Sequence, residues 1–130
     1  MLLALLLILA QQTVVMRVAV TIPVDPPSAL VAQKQGRQGF PWPWPLHHHA
    51  TVWLTWNSSP DLTTPAKANT GYRVYRSRAG AAFTILNSTL LTGLNYTDTN
   101  VQREVQYSYY VTALIGKVES KPSNTVTVVP

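Results

Sequence analysis

Three consecutive histidines, His47-His48-His49, are the first residues of this 130-residue chain whose chemistry suggests a site. Neutral imidazole is a common metal ligand, but adjacent side chains in extended backbone point to opposite sides, so only His47 and His49 could share an ion. The chain has no other histidine and no cysteine. That rules out thiolate chemistry and a cysteine metal site, and leaves adventitious surface binding rather than a built metal centre. The same clustering leaves no imidazole elsewhere to serve a Ser-His-Asp or Cys-His arrangement. Paired carboxylates for glycoside hydrolysis would have to come from Asp61, Asp98, Glu104 and Glu119. These fall at expected corners and turns, where Asp98 is placed to bond local backbone. There is no glycine-rich phosphate loop. The expectation is a chain without catalytic residues, metal or cofactor.

Charge narrows the partners. Ten basic against five acidic residues give a formal +5. From residue 50 onward Lys67, Arg73, Arg76, Arg78, Arg103, Lys117 and Lys121 face Asp61, Asp98, Glu104 and Glu119. Only Arg73-Val-Tyr-Arg76-Ser-Arg78 approaches the basic, aromatic-interleaved stripe of a nucleic-acid binder. It reads instead as a solvated strand edge, and no nucleic-acid partner is expected. Hydrophobic residues make up 46% and charged residues 12%, the latter about half the usual share. With 10 prolines and abundant Thr, Ser and Asn, this composition fits an extracytoplasmic β module. Without disulfides, stability must come from the core. The Asn-x-Ser/Thr triplets at Asn57, Asn87 and Asn95 read as turn chemistry.

The N-terminal run Met1-Leu-Leu-Ala-Leu-Leu-Leu-Ile-Leu-Ala10 is too short to span a bilayer, which takes about 20 apolar residues. It matches the apolar region of a signal peptide but lacks the basic start. Residues 1–22 are therefore read as a truncated signal peptide or a membrane anchor. The product would be secreted, periplasmic or held at the cell surface. Thr13–Ile22 is β-rich but has no evident partner, and reads as disordered or loosely docked. Residues 23–45 read as a linker, because Pro23, Pro26, Pro27 and Phe40-Pro-Trp-Pro-Trp-Pro45 cannot supply a continuous ladder. At least one of Trp42 and Trp44 is expected to pack on the domain that follows. That domain, residues 46–130, is expected to fold alone and as a monomer.

Strict alternation marks its strands. In Ala50-Thr-Val-Trp-Leu-Thr-Trp56, Val52, Leu54 and Trp56 share one face. Gly71 opens Tyr72-Arg-Val-Tyr-Arg-Ser-Arg78, with Tyr72 and Val74 inward. Ala82–Leu86 and Leu94–Asp98 follow. Tyr107–Ile115 carries Tyr107, Tyr109, Val111 and Ala113 on one face, Gly116-Lys117 turns, and Asn124–Val129 closes the sheet. These are about seven short strands separated by turn signals. The expected core is Val52, Leu54, Trp56, Tyr72, Val74, Tyr96, Tyr109, Val111, Val126 and Val128, with Tyr107 also structural.

The hydrophobe Val101, a turn and Tyr107 six residues on resemble the tyrosine corner of β-sandwiches. Taken in order with Val52–Trp56, Gly71–Ser77, Tyr96-Thr-Asp98 and Ser123–Val128, they resemble a bacterial fibronectin type III domain over about residues 46–130. Gln102-Arg-Glu104 stands where that family often has Pro or Gly. There is no Arg-Gly-Asp triplet, so integrin-type adhesion does not carry over. The resemblance implies an all-β, immunoglobulin-like two-sheet sandwich of antiparallel strands. It also implies a non-catalytic extracytoplasmic binding or spacer module with an unknown protein or polysaccharide partner. The alternative is an accessory domain of a polysaccharide-degrading enzyme that itself binds nothing. In the family's sandwich the Tyr72 and Tyr107 strands are neighbours, so Arg73, Tyr75, Tyr110 and Thr112 would share an exposed face. Tyr and Arg are enriched where binding energy concentrates; the plainer reading of Tyr75 and Tyr110 is a cross-strand pair that stabilises the sheet.

Overall fold

A computed structural model describes residues 23–35, 50–62 and 69–130. Its strands are β1 (Ser28–Gln35), β2 (Ala50–Asn57), β3 (Thr70–Arg78), β4 (Thr84–Ile85), β5 (Asn95–Val101), β6 (Tyr107–Ile115), β7 (Val118–Glu119) and β8 (Val126–Val128). All the pairings are antiparallel. β1, β2 and β5 form one sheet in that order. The second sheet runs β4-β3-β6, and the far edge of β6 is shared by β7 at one end and β8 at the other.

The alternation read from the sequence is the alternation of burial. Val52, Leu54 and Trp56 of β2 face Tyr72 and Val74 of β3 and Tyr107, Tyr109, Val111 and Ala113 of β6, each at most 4% exposed. Trp56 meets Tyr72 edge-on, with ring centroids 5.6 Å apart. Tyr96, Val126 and Val128 pack at the margin of this core, only partly buried. The tyrosine corner is present: the Gln102 amide donates to the Tyr107 phenol oxygen at 3.0 Å. Where the family often has Pro or Gly in that corner, Glu104 takes the left-handed conformation at φ 61°, and its amide donates to the Pro130 carbonyl at 3.0 Å.

β1 corrects the reading of residues 23–45 as linker over residues 23–35, and residues 46–130 alone would lack one strand of the first sheet. Ser28–Gln35 pairs along β2 from Ser28↔Asn57 to Gln35↔Thr51, and Val24, Pro27 and Leu30 are buried. Pro23, Pro26 and Pro27 precede the ladder and do not interrupt it, so they permit a strand that starts at Ser28. A register shift between Ser28 and Val31, with Ala29 at φ 50°, turns Leu30 into the core. The Asn124 amide then takes the place of a neighbouring strand, accepting from the Leu30 amide and donating to its carbonyl, both at 2.9 Å. Upstream, the Ser59 hydroxyl donates to the Asp25 carbonyl at 2.6 Å. The strand-like Thr13–Ile22, together with Trp42, Trp44 and His47–His49, lies outside the described residues.

The strand expected over Ala82–Leu86 is only Thr84–Ile85, again because an asparagine replaces a ladder. The Asn87 side chain accepts from the Val74 amide at 2.7 Å and donates to the Tyr72 and Thr89 carbonyls at 2.9 and 2.8 Å. Its amide is therefore engaged on β3, in keeping with its reading as turn chemistry. Beyond it Tyr72 bridges Leu91. That approach needs a glycine at position 71, where an added Cβ would lie 2.6 Å from the Leu91 carbonyl oxygen.

Candidate functional site

The four residues assigned to a common face do share one. β3 and β6 pair with Arg73 opposite Thr112 and Tyr75 opposite Tyr110, and directly opposed residues project from the same side of a sheet. The Tyr75 and Tyr110 rings stack at 4.6 Å between centroids, 20° from parallel, and Phe83 leans on Tyr110 at 4.6 Å. Ile85 lies opposite Tyr75 on the edge strand. Phe83 and Ile85 remain 39% and 48% exposed. Thr112 differs from expectation: it is 3% exposed, lying beneath its neighbours and not on the open surface.

The residue that organises this face, Glu119, reads in the sequence only as a corner or turn carboxylate. Its carboxylate accepts from Arg73 at 3.1 Å, from the Tyr75 hydroxyl at 2.6 Å and from the Thr112 hydroxyl at 2.7 Å. The signal was available in the Gly116-Lys117 turn. Gly116 adopts φ 63°, as the first central residue of a two-residue hairpin loop. Counting back from the turn, Ile115 opposes Val118 and Leu114 opposes Glu119, which puts Glu119 on the face of Tyr110 and Thr112.

Partial burial opposes ionisation of Glu119. The bonds from Thr112 and Tyr75 and the charge of Arg73 outweigh it and hold the carboxyl below its ordinary range. Burial, followed by the Glu119 bond and charge, raises the Tyr75 phenol. A folded-state pKa below the unfolded value means that this carboxylate stabilises the fold above the ordinary value of 4.5, and that the contribution is lost as pH falls through the lowered one. Tyr75→Phe should move the Glu119 midpoint upward in an NMR pH titration. An unmoved midpoint would show that the phenol does not help hold the charge.

A second polar cluster joins the two sheets from inside. Alternation from Tyr72 and Val74 carries Arg76 inward, where its guanidinium pairs with Asp98 of β5 at 2.9 Å and donates to the Asn100 carbonyl at 2.9 Å. It also lies 5.4 Å from the centre of the Tyr107 ring. Asp98 accepts from the Tyr109 hydroxyl at 2.9 Å and the Asn100 amide at 3.0 Å. The expected local backbone bond of Asp98 is thus one of three. Burial, and then the Asp98 charge, drives the Tyr109 phenol far above its ordinary value. The cluster satisfies itself and exposes no free acid or base. Among the described residues no group of three His, Cys, Asp or Glu side chains could hold a metal ion.

Two antiparallel sheets packed face to face, a tyrosine corner and a split β6 edge define an immunoglobulin-like β-sandwich. Within that class the chain is a fibronectin type III-like domain, a kind of module that is generally non-catalytic. A crystal structure of an Fn3-like protein from Clostridium thermocellum matches with a TM-score of 0.60 and 29% identity, over 84% of this chain and 96% of that one. That share is larger than residues 46–130 alone could supply, in line with the place of β1 in the sandwich. A multi-domain fragment of titin matches with a TM-score of 0.59 and 20% identity, over 82% of this chain and 32% of its own. The fibronectin type III domain of human fibronectin type III domain containing protein 3 matches with a TM-score of 0.57 and 23% identity, over 83% and 86% of the two chains. No family model and no curated protein matches the sequence.

Proposed function

We propose that this chain is a non-catalytic extracytoplasmic module that docks a protein partner on the outer face of its second sheet. One observation carries the reading: Phe83, Tyr110 and Tyr75 form a contiguous aromatic row with exposed Ile85 at its edge. The Arg73–Glu119 pair lies beside that row. Aromatic anchors with a polar rim are the anatomy of a protein interface. The stacking of Tyr75 on Tyr110 covers one flat face of each ring, which favours an irregular protein surface over a sugar lying flat. Export is supported by the apolar run Met1–Ala10 and by the charge-poor, Thr- and Asn-rich composition.

The test is retention of the purified chain on the envelope of the producing organism, with and without the double substitution Phe83→Ser/Tyr110→Ser. Retention should be lost while the melting transition survives. Retention that survives in a folded double variant would remove this face from the interface. A fusion of residues 1–22 to a reporter active only after export tests the location independently.

A further inference from the structure

The outer face of the first sheet differs from that of the second in one respect that bears on ligands. Across it, Gln33 of β1, Trp53 of β2 and Thr97 of β5 stand in one row, and Thr55 and Asn95 stand opposite each other in the next. Trp53 is partly buried, and Gln33, Thr97 and Asn95 are exposed. None of the side chains of Gln33, Gln35, Thr55, Asn95 or Thr97 hydrogen-bonds to protein among the described residues. On the second sheet, by contrast, Arg73, Tyr75 and Thr112 all bond Glu119, and Ser108 bonds Thr127 at 2.9 Å. On the second face Arg73, Tyr75, Thr112 and Ser108 are engaged. On the first, the Thr51 hydroxyl donates to the Gln35 carbonyl at 3.3 Å, and the side chains of Gln33, Thr55, Asn95 and Thr97 stand unengaged around an indole.

The chemistry of that lining selects the ligand. Amides and hydroxyls both donate and accept, as sugar hydroxyls do. The row contains no carboxylate, guanidinium or ammonium to pair with a charged partner, since Lys34 alternates away from Gln33 and Gln35. Apart from Trp53 and the exposed Val31, it offers little apolar surface for a protein partner. Neighbouring strands about 4.8 Å apart place Gln33 and Thr97 on either side of the indole, roughly 10 Å from each other. Hydrogen-bonding groups at that spacing can hold a chain of sugar rings that stacks its C–H face on Trp53. We propose that this face binds a neutral polysaccharide, with Trp53 as the stacking platform and Gln33 and Thr97 as its flanking hydrogen-bond partners. The inference is independent of the protein-docking face on the opposite sheet.

Affinity electrophoresis of the full chain through gels containing hydroxyethyl cellulose or galactomannan tests it. The chain should be retarded by at least one of these polymers, and the retardation should persist at about 0.5 M salt, where the Debye length is under ~5 Å. Trp53→Thr, which keeps a β-branched residue in the strand, should weaken binding by roughly tenfold or more. Gln33→Ala/Thr97→Val keeps the indole and should weaken it several-fold. If Trp53→Thr does not fold, the second variant decides. Tyr75→Ser/Tyr110→Ser should bind these polymers like the unsubstituted chain, so failure of the protein-docking reading and failure of this one are distinguishable. No retardation by either neutral polymer, or retardation unchanged in Gln33→Ala/Thr97→Val and in any folded Trp53→Thr chain, overturns the proposal. So does retardation by polygalacturonate alone that disappears with salt, which would reflect only the net charge of +5.

Discussion

A chain shortened to residues 46–130 should give no cooperative melting transition, whereas one that begins at Pro23 should melt as a unit. Shortening removes β1, so β2 and β5 remain as a two-stranded sheet, an arrangement at most marginally stable in water. It also removes Val24 and Leu30, which are 8% and 3% exposed. Burying two such side chains contributes roughly 3–6 kcal/mol, against a total of about 5–15 kcal/mol for a domain of this size. The loss extends to polar groups, because Asn124 would lose both bonds to Leu30, and the Ser59 hydroxyl its bond to Asp25. Thermal unfolding followed by near-ultraviolet circular dichroism checks this. A sharp transition in the shorter chain would show that β1 merely covers a sandwich complete without it.

Asp98→Ala should destabilise the domain by about 3 kcal/mol or more, and by more than Arg76→Ala does. The Asp98 side chain is 4% exposed and that of Arg76 is 18% exposed. Removing one partner of a buried pair leaves the other desolvated without compensation, at a cost of ~3–5 kcal/mol. Partial exposure lets the guanidinium recover some hydration, which places the charge penalty at the lower end of that range. Asp98→Ala also strips the Tyr109 hydroxyl and the Asn100 amide of their acceptor. Arg76→Ala leaves Asp98 with both of those donors, so it should cost less. Urea melts of the two variants decide the order. Equal costs would show that the Tyr109 and Asn100 bonds contribute nothing beyond the ion pair.

Much of the sandwich is local pattern. The period-2 alternation of Val52-Trp-Leu-Thr-Trp56, Tyr72-Arg-Val-Tyr75 and Tyr107–Ala113 determines which side chains face inward, whatever the sheets do, because a strand has only two faces. The same alternation, with Val101 and Tyr107 at their spacing, determines the tyrosine corner. It also places Arg73, Tyr75, Tyr110 and Thr112 on one side of the second sheet. Alternation assigns a face but not a depth, and so it gave no warning that Thr112 would be covered.

Tertiary structure decided whatever depended on partners distant in sequence. Ser28–Gln35 has a weak pattern and prolines before it, and it becomes a strand because β2 offers an edge and Asn124, 94 residues from Leu30, completes its hydrogen bonds. Glu119 becomes the hub of the outer face only once the Gly116-Lys117 hairpin folds β7 back along β6. Asp98 and Arg76 become a buried pair only when the two sheets close on each other. In each case the local chain permits several environments for the same side chain. Which of them it occupies is set by the desolvation of a polar group that must find a partner, and the identity of that partner is a property of the assembled sheets.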